Sequence, residues 1–274
     1  MSSSTWDDIN GAPEPVLLDA AKCCVPASAT GSPIDDFYET TAHILTLGDP
    51  DSLRSSPTLG RLLILGLVTG TEAYFRAILL GVMTTCPLIR ESIADQQIPF
   101  GSVEFYGVKN MALGLLEGVS FASGAEIKKR TRSLTGITWA DNTSLGVAVE
   151  TFDRVCHMRH AAVHAQGVLN RGNARALGLA TTAGPLHVVI DMANLHLAAK
   201  ACNSMVRAYN LFLYKSILQR WMASSLLTGT WQKDKKHFGG LFDLFCSRTD
   251  GIAPSTPYAA YRAFRPSIVR RLAS

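Results

Sequence analysis

The stretch that decides the fold is "LGRLLILGLVTGTEAYFRAILLGVMTTCP", residues 59–87. It is long and apolar enough to cross a bilayer, yet Glu72 and Arg76 stand near its centre. Two charges at mid-bilayer are costly, whereas a helix buried in a bundle can pair them. Their i, i+4 order is the favourable one for a helical ion pair. The segment therefore reads as a core helix of an all-α bundle rather than a membrane span. Ser56 serves as its N-cap, Pro57 as its first helical residue and Pro87 as its stop.

The same start signal recurs upstream in "SPIDDFYETTAHILTL", where Ser32 caps, Pro33 opens and Asp35 and Asp36 occupy the first turn. Residues 1–31 are rich in Ser, Pro, Ala and Thr without periodicity, and are expected to form a mobile arm. Downstream, "IPFGSVEFYGVKNMALGLLEGVSF" reads as a short connector followed by a helix through about Val119. "SGAEIKKRTRSLTGI" reads as a capped, exposed helix that gathers Lys128, Lys129, Arg130 and Arg132. In "NTSLGVAVETFDRVCHMRHAAVHAQG" apolar residues recur every three or four positions, and Gln166-Gly167 supplies a stop. A long amphipathic helix follows the cap Asp191, and strand signal is confined to "PLHVVI". Long helices with short connections predict a helical domain over residues 32–228. After Gly229 the pattern breaks, and 229–274 is expected to be a basic, loosely packed C-terminal appendix.

Charge is distributed unevenly. The chain has 274 residues and a net charge of +4, but the segment from Trp221 onward holds eight Lys/Arg against three Asp/Glu. The first 220 residues are left with 18 basic and 19 acidic side chains. A near-neutral body with a basic end suits a weak hold on a polyanion, and equally an ordinary soluble surface. The six cysteines have no CxxC pair. "MSSSTWDDINGAPEP" has acids and prolines where a secretory signal needs an apolar core, so reduced thiols in a cytoplasmic protein are expected.

"VCHMRHAAVHAQGVLN", residues 155–170, concentrates three of the seven histidines and an arginine into eight positions. Three readings stay open. His157, His160 and His164 fall at i, i+3 and i+7, one helix face, and can simply be hydrogen-bonded, partly buried imidazoles. His160 and His164 also have the spacing of a two-histidine metal chelate, but the glutamate of HExxH is absent and no third ligand follows. In the third reading, Arg159 and His164 cleave a phosphodiester without metal or cofactor. Imidazole handles the proton transfers and the guanidinium fork meets the charged phosphorane. Five residues of straight helix turn about 500°, which leaves Arg159 and His164 about 140° apart. They converge if the guanidinium wraps round, if the helix ends near His164, or if a second copy faces the first.

"RHAAVHAQGVLN" resembles the Arg-polar-x-x-x-His signature of HEPN domains (higher eukaryotes and prokaryotes nucleotide-binding), with Arg159, polar His160 and His164 in place. "GTEAYFRAILL" resembles the first core helix of that family, with Glu72 and Arg76, and "GAEIKKRTRSLTGI" resembles the helix before the motif helix. The resemblance spans about residues 33–220. It implies a HEPN-like bundle and a metal-independent endoribonuclease that acts as a homodimer, leaving a 2′,3′-cyclic phosphate and a 5′-hydroxyl. Arg159 and His164 would be catalytic, His160 would assist at phosphate or base, and Glu72, Arg76 and His157 would support the site. Members of the family commonly act as bacterial toxins or antiviral effectors, often with an antitoxin or sensor partner. Some have lost catalysis and act as modules binding RNA, nucleotide or protein.

In the appendix, "TWQKDKKHFGGLFDLF" sets Lys233, Lys235 and Lys236 beside Trp231. Cations interleaved with rings suit single-stranded RNA, while the plainer expectation is aromatics packed back onto the bundle.

Overall fold

Seven side chains set where helices begin. Ser32, Asp49, Ser56, Ser123, Thr143, Asn170 and Asp191 each stand just before a helix and accept from its free backbone N–H groups, Asp49 from two and the others from one. They open α1 (Pro33–Thr46), α2 (Pro50–Ser55), α3 (Pro57–Thr85), α6 (Gly124–Thr135), α7 (Ser144–His164), α8 (Arg171–Ala176) and α9 (Met192–Ala223). The others are α4 (Pro87–Ser92), α5 (Phe100–Tyr106), α10 (Trp231–Phe245) and α11 (Pro257–Leu272). The computed structural model describes residues 15–26, 31–179 and 184–272, which fall in two units, 1–30 and 31–274. Among its described residues the first unit has one 3-10 turn, Ala20–Cys23, capped by Asp19. The rest of the arm expected there, 1–14 and 27–30, lies outside the described residues. Everything below concerns the second unit.

Its centre is α3. Gly66 and Gly70 lie flat against Ile44 and Thr40 of α1, and Phe37 of α1 meets Tyr74. These pairings run α1 antiparallel to α3. Along another side α9 runs parallel to α3. Tyr209 sits edge-on to Phe75 at 4.9 Å, and eleven residues after Phe75 the Cys86 Sγ accepts from the indole N–H of Trp221 at 3.1 Å. Arg61 touches Gly167 and Glu72 acts electrostatically on Cys156, so α7 runs antiparallel to α3. α3 is long and apolar enough to cross a membrane, and 56% of its most apolar window is buried among the other helices. Among the described residues the fold is all-α, and extended pairing is limited to the bridge between Val168 and His187 in the "PLHVVI" segment. No disulfide joins the six cysteines.

Three expectations are corrected. The helix expected through Val119 is broken into α5 and a 3-10 helix, Val108–Leu115, because Gly107 takes φ +72° and ends α5. Glu72 and Arg76 do not pair with each other, since each has a stronger partner in the backbone of residues 116–121, described below. The C-terminal segment is not loosely packed. Phe238, Leu241 and Phe245 of α10 and Tyr261 and Ile268 of α11 belong to the same buried core as α3 and α9. Its anchor is Asp234, 1% exposed, which accepts from Thr228 N (3.0 Å), Thr228 Oγ1 (2.8 Å), Gly229 N (3.0 Å) and Tyr261 Oη (2.6 Å).

Removing the Asp234 carboxylate strands these donors in a dry interior. We expect Asp234→Ala to lower the unfolding free energy by about 3 kcal/mol in urea denaturation. A loss under about 0.5 kcal/mol, the size of an ordinary surface substitution, would contradict the packing described.

Candidate active site

The histidine cluster sits on the last two turns of α7. Leu145, Ala148, Phe152 and Val155 bury one side of that helix and so fix which side remains open. The helix stops at His164, with Ala165 as its C-cap. Gln166 and Gly167 then take φ +49° and +92°, and the Gly167 N–H folds back to Ala161 O at 2.9 Å. A Cβ at Gly167 would stand 2.5 Å from Cδ of Arg61, so this turn needs glycine for its backbone angle and for space. The chain beyond is pinned by two bonds, Val188 N to Gly167 O and Leu169 N to Leu186 O, both 2.8 Å.

The expected residues separate into groups. His160 and His164 come together, with ring centroids 4.6 Å apart, and both are exposed. His157 turns away and its Nδ1 bonds Asn173 Oδ1 at 3.0 Å, a buried residue of α8. Arg159 is half-buried and its Nε has no hydrogen-bond partner. No hydrogen bond joins Arg159 to His164, as the helical angle between them anticipates. Among the described residues no third His, Cys, Asp or Glu joins the pair of imidazoles as a metal ligand.

Glu72 and Arg76 act behind the cluster. Glu72 accepts from Phe121 N (2.7 Å) and Ser120 Oγ (3.1 Å). Arg76 donates to Leu116 O (2.7 Å) and Val119 O, and its guanidinium lies 5.4 Å from the centre of the Phe121 ring. Asp153 of α7 takes the next segment, accepting from Gly124 N at 2.6 Å. A strap of backbone, residues 116–124, is thereby held from α3 and from α7. The Cys156 thiol lies in the same neighbourhood. Burial pushes its pKa up, Asp153, Cys202 and Glu72 push the same way, and Arg159 opposes them. It is an inert core thiol.

Four arginines lie on or near these elements: Arg159 on the last turns of α7, Arg61 beside Gly167, and the exposed Arg171 and Arg175 on α8, which packs against α7 through the Asn173–His157 bond. Arg171 and Arg175 also line a cavity of about 530 Å³ with Leu169, Ala174 and Leu186. Among the described residues no carboxylate lies within 4.0 Å of any of the four guanidiniums. Sequence reasoning missed Arg61, although it shares a stripe with Glu72 and Arg76 at i, i+11 and i+15, about 20° and 60° round the helix. Arg171, Asn173 and Arg175 carried no such signal, being in a stretch without apolar periodicity.

Lys233, Lys235 and Lys236 are exposed on α10. They lie far from this cluster. α10 meets α3 at Gly81 and Thr85, some twenty residues or about 30 Å along the helix from Arg61. Trp231 packs against Tyr258 and Tyr261, with centroids 5.4 and 5.2 Å away, so its ring is engaged inside the fold.

Comparison with known protein families, with curated proteins and with solved structures finds no match to this chain.

The electrostatics of the cluster can be measured. Burial lowers the His160 pKa below the ordinary imidazole value, and His164, Arg159 and His157 lower it further. The unfolded chain therefore binds this proton more tightly, and the site's share of stability falls as pH drops through the ordinary histidine range. Histidine titration followed by NMR should place His160 below 6.5 and show it rising in His164→Ala. A value that is unchanged or lower in that variant would contradict the coupling.

Proposed function

We propose that this chain is a metal-independent endoribonuclease of HEPN type, built on a HEPN-like bundle and acting on RNA as a homodimer. The observation that carries the reading is the end of α7. There an exposed imidazole pair shares its helix with Arg159, and Arg61, Arg171 and Arg175 stand on the elements packed against that helix; among the described residues no carboxylate lies within 4.0 Å of these four guanidiniums. Guanidiniums without a carboxylate partner suit phosphate oxygens, which they meet with a planar fork of donors.

The chemistry follows from the groups present. The His164 imidazole, with His160 beside it, takes the proton of the ribose 2′-hydroxyl. The 2′-oxygen attacks phosphorus, and the phosphorane's charge lies against Arg159. The bond to the 5′-oxygen breaks as that oxygen takes up the proton the imidazole accepted, leaving a 2′,3′-cyclic phosphate, a 5′-hydroxyl and the imidazole in its starting form. The lowered pKa of His160 keeps it neutral at physiological pH and so available as a base. Arg159 and His164 point about 140° apart within one chain, so a two-fold partner would bring one chain's arginine to the other's histidine. Leu62 and Val163, exposed at the same end of the bundle, offer apolar area for that interface. A toxin or antiviral role, with an antitoxin or sensor partner, fits such an activity.

A second reading is a non-catalytic HEPN-like module that binds RNA, nucleotide or a partner protein. It is favoured by the missing bond between Arg159 and His164. Incubation with an RNA pool in EDTA separates the two. The enzyme reading predicts cleavage to cyclic phosphate ends, reduced at least a hundredfold by His164→Ala and by Arg159→Ala. RNA binding without cleavage by the wild type would leave the module.

The α10 lysines can be tested without disturbing the core. Replacing Lys233, Lys235 and Lys236 by Gln should weaken RNA binding and flatten its dependence on log salt by up to about 2, near 0.7 per phosphate contact on single strands. An unchanged slope would remove them from the RNA interface.

A further inference from the structure

A cavity of about 800 Å³ opens along α9, lined by none of the residues assigned above. One wall is the α9 stripe Lys200, Ser204, Arg207 and Leu211, which recurs at i, i+4, i+7 and i+11 and so lies along one side of the helix. Phe242 and Phe245 of α10 add aromatic surface, and the loop after α10 closes the other side. That loop is held in place. Asp35 of α1 accepts from Ser247 Oγ (2.6 Å), Arg248 N (3.0 Å) and Thr249 N (3.2 Å), and the Tyr38 hydroxyl donates to Asp250 Oδ2 at 3.1 Å. The cavity is therefore built into the fold.

Its size falls within the range of small-molecule sites, roughly 300–1,000 Å³, and it shares their pattern of apolar walls with a few placed polar groups. The charges are asymmetric. Among the described residues Asp250 is the one carboxylate in the lining, and it is engaged by Tyr38 and, at 3.9 Å, by Arg207. Lys200 has no carboxylate within 4.0 Å among the described residues. Lys200 and Arg207 stand about 10 Å apart along the helix, with Ser204 between them, so their long side chains can reach one group seated on the serine. The apolar surface of Leu211, Phe242 and Phe245 continues from there.

We propose that this cavity binds an amphiphilic carboxylate. Its head would sit on Lys200, Ser204 Oγ and Arg207, and its apolar body along Leu211, Phe242 and Phe245. The arginine fork suits a carboxylate, and the apolar walls take up a chain or ring that a polyanion lacks. The site is independent of the ribonuclease reading, since it shares no residue with the end of α7.

Isothermal titration of the full chain with decanoate, decanol and decyltrimethylammonium tests it. Decanoate should bind once per chain, at least tenfold tighter than decanol, and decyltrimethylammonium should not bind measurably. The double variant Lys200→Gln, Arg207→Gln should weaken decanoate at least tenfold and leave decanol unchanged. Leu211→Asp should abolish binding of both. All three side chains are exposed, so each variant should keep the wild-type melting temperature. Decanoate binding no tighter than decanol, binding indifferent to these substitutions, or no saturable binding below millimolar concentration would each overturn the proposal.

Discussion

Glu72 and Arg76 are two charges on an otherwise apolar core helix, and their partners constrain what can pack around it. Charges half-withdrawn from water need strong partners, and here these are backbone amides and carbonyls of the strap at 116–121. Asp153 extends the same device from α7 to Gly124, the first residue of α6. α3, α6 and α7 are thus tied together through one short stretch of backbone. The cluster at the end of α7 sits against this framework, with Arg61 of α3 filling the space that Gly167 leaves open.

Much of this was legible in the sequence because it rests on local chemistry. Ser32, Ser56 and Asp191 announce helix starts through their own side chains, and the run from Leu145 to Val155 shows its period directly. The Glu72–Arg76 pairing was misjudged for a physical reason. An i, i+4 spacing reports that two side chains can meet, and says nothing of tertiary acceptors that compete for them. The C-terminal helices were hidden differently. The buried stripe of α10 is Asp234, Phe238, Leu241 and Phe245, a regular i, i+4, i+7, i+11 pattern whose first member is a carboxylate. A charge on the core face, beside Gly239-Gly240, disguises an ordinary amphipathic helix.

The same distinction applies to the candidate site residues. His157, His160, Arg159 and His164 are visible because they are dense in one helix. Asn173 reaches His157, bringing Arg171 and Arg175 of the same short helix with it, only because α8 packs against α7, a contact that no local pattern encodes. The α9 cavity draws on α9, α10 and the loop beyond it, so its residues are brought together only by the fold. The cationic groups stand in different surroundings: Arg159 and Arg61 near the end of α7, ammonium groups exposed on α10, and Lys200 with Arg207 over apolar walls. Their surroundings, more than the formal charge of the chain, decide what each can hold.

The central claim is that Arg159 and His164 act on one phosphate across a two-fold axis. Mixing two dead variants tests it most directly. Arg159→Ala and His164→Ala chains, denatured together and refolded, form mixed dimers in which one of the two composite sites regains both residues. With random pairing, half of the dimers are mixed, so the account predicts about a quarter of wild-type RNA cleavage from the mixture and none from either variant refolded alone. A mixture as inactive as its components, in a preparation shown to contain mixed dimers, would contradict it.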